Sequence, residues 1–400
     1  MQKLKNIFIL SGFTILAGAL NYASYPILIR HLSLEDFATF SVISYLITIL
    51  AIPAWGFGYF MLVRARGYPE DLKERYRFWM SQIQRYSIIY MVVVSLILVC
   101  IAPLLGIHSL WALLLIVLCT GCFLSMSFFT AVLQAREKFL LFGFLSLCIA
   151  GSRLLVSGGV LYSPLLILAV ISLTIPNLLG AYIFYLFGKR VIIDMPISLE
   201  PRVSLLPENS LWSACVIIAL VISLQSIDII LVKYLFPSID VALYAAVSVI
   251  TKFSLFLIAV LETVSLPILV DRVGYREKYK NIAFLVSCSF TAFLGAYFIL
   301  PPLGESVLTI IRPELVGSHD LFAYLGIASV GLGFSAIFLK SLILSTRWAI
   351  VYTVGVSIVL GSLFLSKNIS EFSFYYALCT AILYMISLGH LLYKTWSNSL

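Results

Sequence analysis

Twelve apolar stretches, each near the roughly 20 residues that a bilayer crossing requires, follow one another along the chain with short charged or Pro/Gly-rich breaks between them. They lie near 7–29, 37–63, 79–102, 109–133, 139–162, 164–187, 209–231, 241–269, 281–303, 320–342, 345–366 and 371–393. Backbone buried in lipid has two ways to satisfy its hydrogen bonds, helices or a closed barrel. These stretches are too long and too irregular for the alternating ten-residue strands of a barrel, so helices are predicted. Composition agrees: 62% hydrophobic and 11% charged residues leave too few charges to cover a water-exposed surface. That excludes secreted disulfide scaffolds, disordered chains, nucleic-acid-binding domains and enzymes that need a large aqueous domain. The expected fold class is an all-α polytopic membrane protein with about twelve transmembrane helices. The first stretch is too long for a signal-peptide core and no small-residue cleavage pattern follows it before Arg30, so it is retained as a helix.

Lys and Arg set the orientation. With a cytoplasmic N-terminus, twenty of the 26 fall on the inner side, from Lys3 and Lys5 through Arg64, Arg66, Arg136 and Arg276 to Lys394. Four, Arg30, Lys233, Arg312 and Lys367, fall outside, and Arg153 and Lys252 fall within crossings. The split predicts an even helix count with both termini cytoplasmic. The net charge of +8 then reflects topology and attraction to anionic lipids rather than a nucleic-acid surface.

The longest connection, 188–208, contains Pro196, Pro201 and Pro207 and reads as a cytoplasmic linker between a six-helix lobe at 1–187 and a second at 209–400. Membrane transporters are commonly built from such internal repeats. Ile27-Leu-Ile-Arg30 followed by Glu35-Asp36-Phe-Ala-Thr-Phe40 can be set against Ile230-Leu-Val-Lys233 followed by Ile239-Asp240-Val-Ala-Leu-Tyr244. Both first helices thus end in a basic residue, and both second helices open with an acid followed by an aromatic. Pro53, Gly56 and Gly58 in the second crossing and Pro267 in the eighth allow both to bend or break.

Polar groups within the bilayer are the candidates for function, because a charged side chain at a helix centre costs about 2.5–3.5 kcal/mol on insertion scales. Arg153 and Lys252 sit near mid-crossing, as expected of residues facing a hydrated interior. On helical geometry Gly143, Ser146, Arg153 and Ser157 share one face, and so do Tyr244, Ser248, Thr251, Lys252, Glu262 and Thr263. Ser11, Thr14, Gly18, Asn21 and Tyr25 make a third stripe. Such stripes are expected of a cavity lining. Two readings of the cations fit: an internal site for an anionic substrate, or structural pairing with Glu262, Asp228 or helix carbonyls. Arg30 and Lys233, at matching helix ends, fit outer-side phosphate contacts or ordinary snorkelling to headgroups. Arg64 and Arg66 fit either substrate entry or anchoring at the inner surface. Asp228 and Glu262 are candidates for binding a coupling proton or cation, and equally for salt bridges.

All seven cysteines lie in apolar segments, and Cys119-Thr-Gly-Cys122 lacks the second ligand pair that a metal or redox site needs. His31, His108, His319 and His390 make no catalytic or ligand grouping, and no nucleotide-binding loop is present. No metal, cofactor or covalent chemistry is predicted.

The turn Arg30-His-Leu-Ser-Leu-Glu-Asp-Phe-Ala-Thr-Phe40, the link Leu133-Gln-Ala-Arg136-Glu-Lys-Phe139, and Asp228 followed by Lys233 and Tyr244-Ala-Ala resemble the polysaccharide-biosynthesis flippases. These are the O-antigen and capsule repeat-unit translocases of the multidrug/oligosaccharidyl-lipid/polysaccharide exporter superfamily. The resemblance spans essentially the whole chain. It implies a MATE-like arrangement of two lobes around a cationic cavity, and flipping of an undecaprenyl-diphosphate-linked oligosaccharide across the bacterial inner membrane by alternating access. On that reading Arg153, Lys252, Arg30, Lys233, Asn21 and Tyr25 serve the substrate, and Asp228 and Glu262 serve a coupling Na+ or H+. Membrane lipids, a polysaccharide polymerase and chain-length machinery are implied as partners. Two alternatives remain: a cation-coupled multidrug exporter, which would favour an acidic cavity, and a membrane glycan polymerase or ligase, for which Arg312 with His319 is the only hint.

Overall fold

The computed structural model describes residues 2–67, 72–136, 138–193, 208–270, 275–315, 319–341, 361, 363–364 and 366–397. Its helices are α1 (Gln2–His31), α2 (Leu34–Leu50), α3 (Ile52–Gly67), α4 (Leu72–Ile101), α5 (Leu110–Ala135), α6 (Phe139–Ser157) and α7 (Leu166–Ile193). They continue as α8 (Glu208–Leu235), α9 (Ser238–Val270), α10 (Tyr275–Leu294), α11 (Leu300–Ile311), α12 (His319–Ser341) and α13 (Ile369–Ser397). Among the described residues, nine helical segments are long and apolar enough to cross a membrane, and no strand occurs. The protein is an all-α, multi-pass membrane protein. The predicted crossing near 345–366 lies almost wholly outside the described residues.

Local chemistry explains the element ends. Ser33 caps α2, its hydroxyl accepting from the Asp36 amide at 3.0 Å and donating to the Asp36 carboxylate at 2.8 Å. Ser109 caps α5 by accepting from the Ala112 amide, after the chain has turned through Gly106 at a φ of +69° that favours glycine. The expected break in the second crossing occurs: α2 stops at Leu50, Ala51 forms a turn, and α3 begins at Ile52 with Pro53 as its second residue. Pro53 has no amide to continue the ladder, and a first-turn position is where proline is tolerated.

Its counterpart in the second half does not break. α9 runs continuously for 33 residues because its only proline, Pro267, lies in the last turn, where little helix remains to interrupt. The ninth crossing is longer than its expected end at 303. The helix passes Pro301 and Pro302 through a five-residue π turn, Gly295–Ile299, that joins α10 to α11. A π turn loosens the i to i−4 ladder just where two prolines withdraw their donors.

The contacts group into two units, Met1–Cys215 and Val216–Leu400. In the first, α5 packs on α7, α3 and α4, while α6 bridges α1 and α7. In the second, α12 packs on α13, α9, α10 and α11. Counted as crossings, the fourth helix of each unit therefore meets the sixth, the second and the third. α12 is an interior helix, with 89% of its apolar window buried against 17% for α4. Helices approach closely at glycines: a Cβ on Gly58 would lie 2.9 Å from the Ser127 Cβ, and one on Gly331 would lie 3.1 Å from the Thr380 carbonyl.

The third crossings add a repeat signal outside the predicted apolar stretches. Lys73-Glu-Arg-Tyr76-Arg77 opens α4, and Arg276-Glu-Lys-Tyr279-Lys280 opens α10.

Candidate functional site

Among the described residues, Arg153 of the first unit and Lys252 of the second each meet the same position of the unit's first helix. Tyr25 lies five residues before Arg30 on α1, and Asp228 lies five before Lys233 on α8. The two positions also contact the matched residue of the next crossing. The Tyr25 ring lies edge-on to Phe40, centroids 6.2 Å apart, and the Tyr244 hydroxyl donates to Asp228 Oδ2 at 3.0 Å.

In the first unit, α6 brings Arg153 over the Tyr25 ring, with the guanidinium carbon 5.2 Å from the centroid. A cation over an aromatic face is held by the ring quadrupole while its in-plane N–H donors remain available. Arg153 is half-buried overall, yet its Nε and Nη2 are shut off from solvent and have no hydrogen-bond partner. Tyr22 tilts against Tyr25 at 5.8 Å, and the Tyr25 hydroxyl stands 3.4 Å from Ser44 Oγ on α2. Asn21 is half-buried one turn earlier on α1. No acidic residue occurs anywhere in the sequence between Asp36 and Glu70, between Glu74 and Glu137, or between Glu137 and Asp194. The crossings of this unit therefore bring no carboxylate to mid-membrane.

The second unit is the opposite case. Lys252 Nζ, on α9, donates to both carboxylate oxygens of Asp228, at 3.1 and 2.9 Å, and to the Gln225 carbonyl at 2.7 Å. Lys252 is 4% exposed and Asp228 is fully buried. Tyr376 of α13 donates to the Leu224 carbonyl on the same stretch of α8, so this part of α8 is tied to two neighbours. Of the expected alternatives, Lys252 takes the structural pairing with Asp228. Asp228 Oδ1 accepts from Lys252, and Oδ2 accepts from both Lys252 and Tyr244.

Several described residues of the polar stripes make packing contacts or bond to their own helices. Gly143 of α6 abuts Phe13 of α1, where a Cβ would come within 2.6 Å of the ring. Ser146 and Ser157 donate back to the carbonyls of Phe142 and Arg153. On α9, Tyr244, Ser248 and Thr251 are all buried inside the unit. A serine that returns its proton to its own helix and a glycine that admits a neighbour make the same sequence pattern as a cavity wall. The side chains of Ser11, Thr14, Arg64, Arg66, Glu262 and Thr263 lie outside the described residues.

The matched helix-end cations also differ. Arg30 is exposed, whereas Lys233 donates to Ser238 Oγ at 3.2 Å and pins the turn between α8 and α9. The polymerase hint is tied up locally: Arg312 pairs with Glu314 at 3.4 Å and His319 stands 3.7 Å from Glu305. The Cys119 thiol accepts from Asn177 at 3.4 Å, and among the described residues no group of His, Cys, Asp and Glu is arranged to hold a metal ion.

Reading by residue type had missed Tyr22, Phe40 and Ser44 around Tyr25 and the Gln225 carbonyl at Lys252. The repeat register contained the signal, since Phe40 and Tyr244 occupy matched positions.

These paired lobes, built on the same helix-packing scheme, define a MATE-like fold. No protein-family model matches the chain, and no curated protein matches it by sequence. Solved structures do match. A MOP superfamily transporter from Pyrococcus furiosus, whose binding pocket of reversed polarity suggests a different function, superposes with a TM-score of 0.66 at 13% identity, over 99% of this chain and 96% of that one. The Vibrio cholerae MATE transporter VcmN gives 0.65 at 16% identity, over 98% and 97%. An outward-facing multidrug resistance MATE family transporter of the MOP superfamily gives 0.60 at 13%, over 98% and 95%. At these identities the likeness is one of fold.

Proposed function

We propose that this protein is an alternating-access transporter that flips an undecaprenyl-diphosphate-linked oligosaccharide across the bacterial inner membrane for O-antigen or other surface polysaccharide synthesis, without covalent chemistry. The observation that carries the reading is Arg153: a guanidinium inside the bilayer region, standing over the Tyr25 ring, two donors unpartnered, in a lobe whose crossings contain no carboxylate. An uncompensated interior cation selects an anionic headgroup, because either charge alone in low dielectric is costly and the pair offsets both penalties. The polyprenyl tail stays in lipid while the headgroup crosses. Arg30, exposed at the end of α1, would meet headgroup phosphates at the outer surface, and Asn21 is placed to hydrogen-bond sugar. The charge pattern of the loops supports cytoplasmic termini, and an ion gradient is the expected driving force. Membrane lipids, and the polymerase and chain-length machinery of such a pathway, are the proposed partners.

The multidrug exporter reading is favoured by the likeness to a multidrug resistance transporter. It is opposed by the sign of the charge in the first lobe, which would repel cationic drugs.

The test is reconstitution of the purified protein in vesicles with a fluorescent polyprenyl-diphosphate sugar, following its accessibility to a membrane-impermeant quencher. Flipping should occur with wild type and be abolished by Arg153→Gln in protein that still inserts. Unimpaired flipping by that variant, or efflux of cationic dyes in place of the lipid, overturns the reading.

A further inference from the structure

The two unpartnered donors of Arg153 form a single recognition edge. Nε–H and the adjacent Nη2–H of a guanidinium point the same way, side by side, and make one of the forks that grips two oxygens of one oxyanion. Both atoms are buried and both lack a partner, and the guanidinium carbon stands over the Tyr25 ring, 5.2 Å from its centroid. Lys252, the cation described in the second lobe, offers no equivalent, because it is held by Asp228 and the Gln225 carbonyl.

We infer that Arg153 is a one-oxyanion subsite contained in the first lobe. It binds side-on, through Nε and Nη2, one group bearing two geminal oxygens, with Tyr25 as the positioning residue that orients the fork. The ligand is one phosphate of a lipid carrier or one carboxylate of an acidic sugar. A diphosphate is held through one of its two phosphates, and its other charge stays at a hydrated position. The inference rests on the transport reading only for which lipid delivers the oxyanion; the fork itself is testable without transport.

The decisive comparison is Arg153→Lys with Arg153→Gln in full-length protein in nanodiscs. Lysine keeps the charge and loses the fork. Binding of a short-chain polyprenyl phosphate carrying a neutral sugar should weaken about tenfold or more in both variants, and wild type should bind the corresponding diphosphate within a few-fold of the monophosphate. Lysine binding as tightly as arginine overturns the fork while leaving an anionic site. Diphosphate binding tenfold or more above monophosphate overturns the one-oxyanion count.

A free glucuronide and a neutral-sugar polyprenyl phosphate, offered separately, distinguish a carboxylate source from a phosphate source, and binding of neither overturns the subsite. Should the variants fail to insert, the Arg153 Nε–H resonance of arginine-15Nε-labelled wild type is the second readout. It should move downfield on adding the monophosphate, and an unmoved resonance at saturating probe overturns the inference. For Tyr25, phenylalanine should retain binding and leucine should lose several-fold, whereas equal loss in both would remove its positioning role. Wild-type protein that binds these probes but moves no lipid-linked sugar would refute the transport reading alone.

Discussion

The two lobes share a helix-packing scheme and place a cation against the same register position, yet they treat that cation in opposite ways. In the first, the position is Tyr25, and a ring face steadies Arg153 while leaving donors open. In the second it is Asp228, whose carboxylate pairs with Lys252 through both oxygens. The lobes differ in the residue at that position and in the cation that meets it, Arg153 from α6 in one and Lys252 from α9 in the other. The same packing scheme occurs twice, and the residues at one register position decide whether the neighbouring cation meets a counter-charge. The symmetry of the fold does not carry over to the electrostatics of its interior.

The largest effect should come from breaking the clamp. Asp228→Asn leaves Lys252 buried beside a neutral amide and should destabilise the protein by about 3–5 kcal/mol, seen as a lowered thermal unfolding midpoint in detergent. Asp228→Asn combined with Lys252→Met should recover most of that loss, since removing both charges of a buried pair is often nearly neutral. No recovery would mean the pair does more than neutralise itself.

Next is the attempt to make the first lobe resemble the second. Tyr25→Glu supplies Arg153 with an internal carboxylate, so flipping should fall at least about tenfold, equivalent to about 1.4 kcal/mol, with the unfolding midpoint unchanged or raised. Flipping at the wild-type rate would show that the open donors of Arg153 are not what the substrate uses.

Smaller again are the close helix contacts. Gly58→Val and Gly331→Val force a side chain against Ser127 and Thr380 and should each cost about 1–3 kcal/mol through overpacking. Gly58 should be the worse of the two, because its added Cβ would sit closer, at 2.9 Å against 3.1 Å. Smallest is Lys233→Ala, which removes one hydrogen bond to Ser238 and should shift stability by less than about 1 kcal/mol. A larger loss would promote the α8–α9 turn from connector to structural element.

Much of the architecture was legible in the sequence. Apolar length forced helices, Pro53 announced the break at Ala51, and Arg30 with Lys233 gave the register in which Tyr25 and Asp228 correspond. The matching motifs at 73–77 and 276–280 were equally visible, but they lie before the expected starts of those crossings at 79 and 281. Charged residues were assigned to loops, whereas α4 and α10 carry them in their first turns. The polar stripes alone do not separate a cavity lining from a packing face, for a physical reason. Small and hydroxylated residues along one face are what a helix needs to line a cavity and also what it needs to approach another helix closely, and periodicity is the same in both cases. Gly143 against Phe13 shows close helix packing at that point of the α6 stripe.

The sequence alone determined that this chain lives in a bilayer, that it is helical, that it is doubled, and that each half carries one cation where lipid would reject it. Those conclusions follow from local quantities: apolar length, proline position, and the insertion cost of a charge. Tertiary structure decided which cation has a counter-charge. Lys252 and Asp228 are 24 residues apart on different helices, and Arg153 and Tyr25 meet only where α1 packs on α6. Ion pairing acts across a few ångströms of space whatever the separation along the chain, so composition could name the charges but only packing could match them.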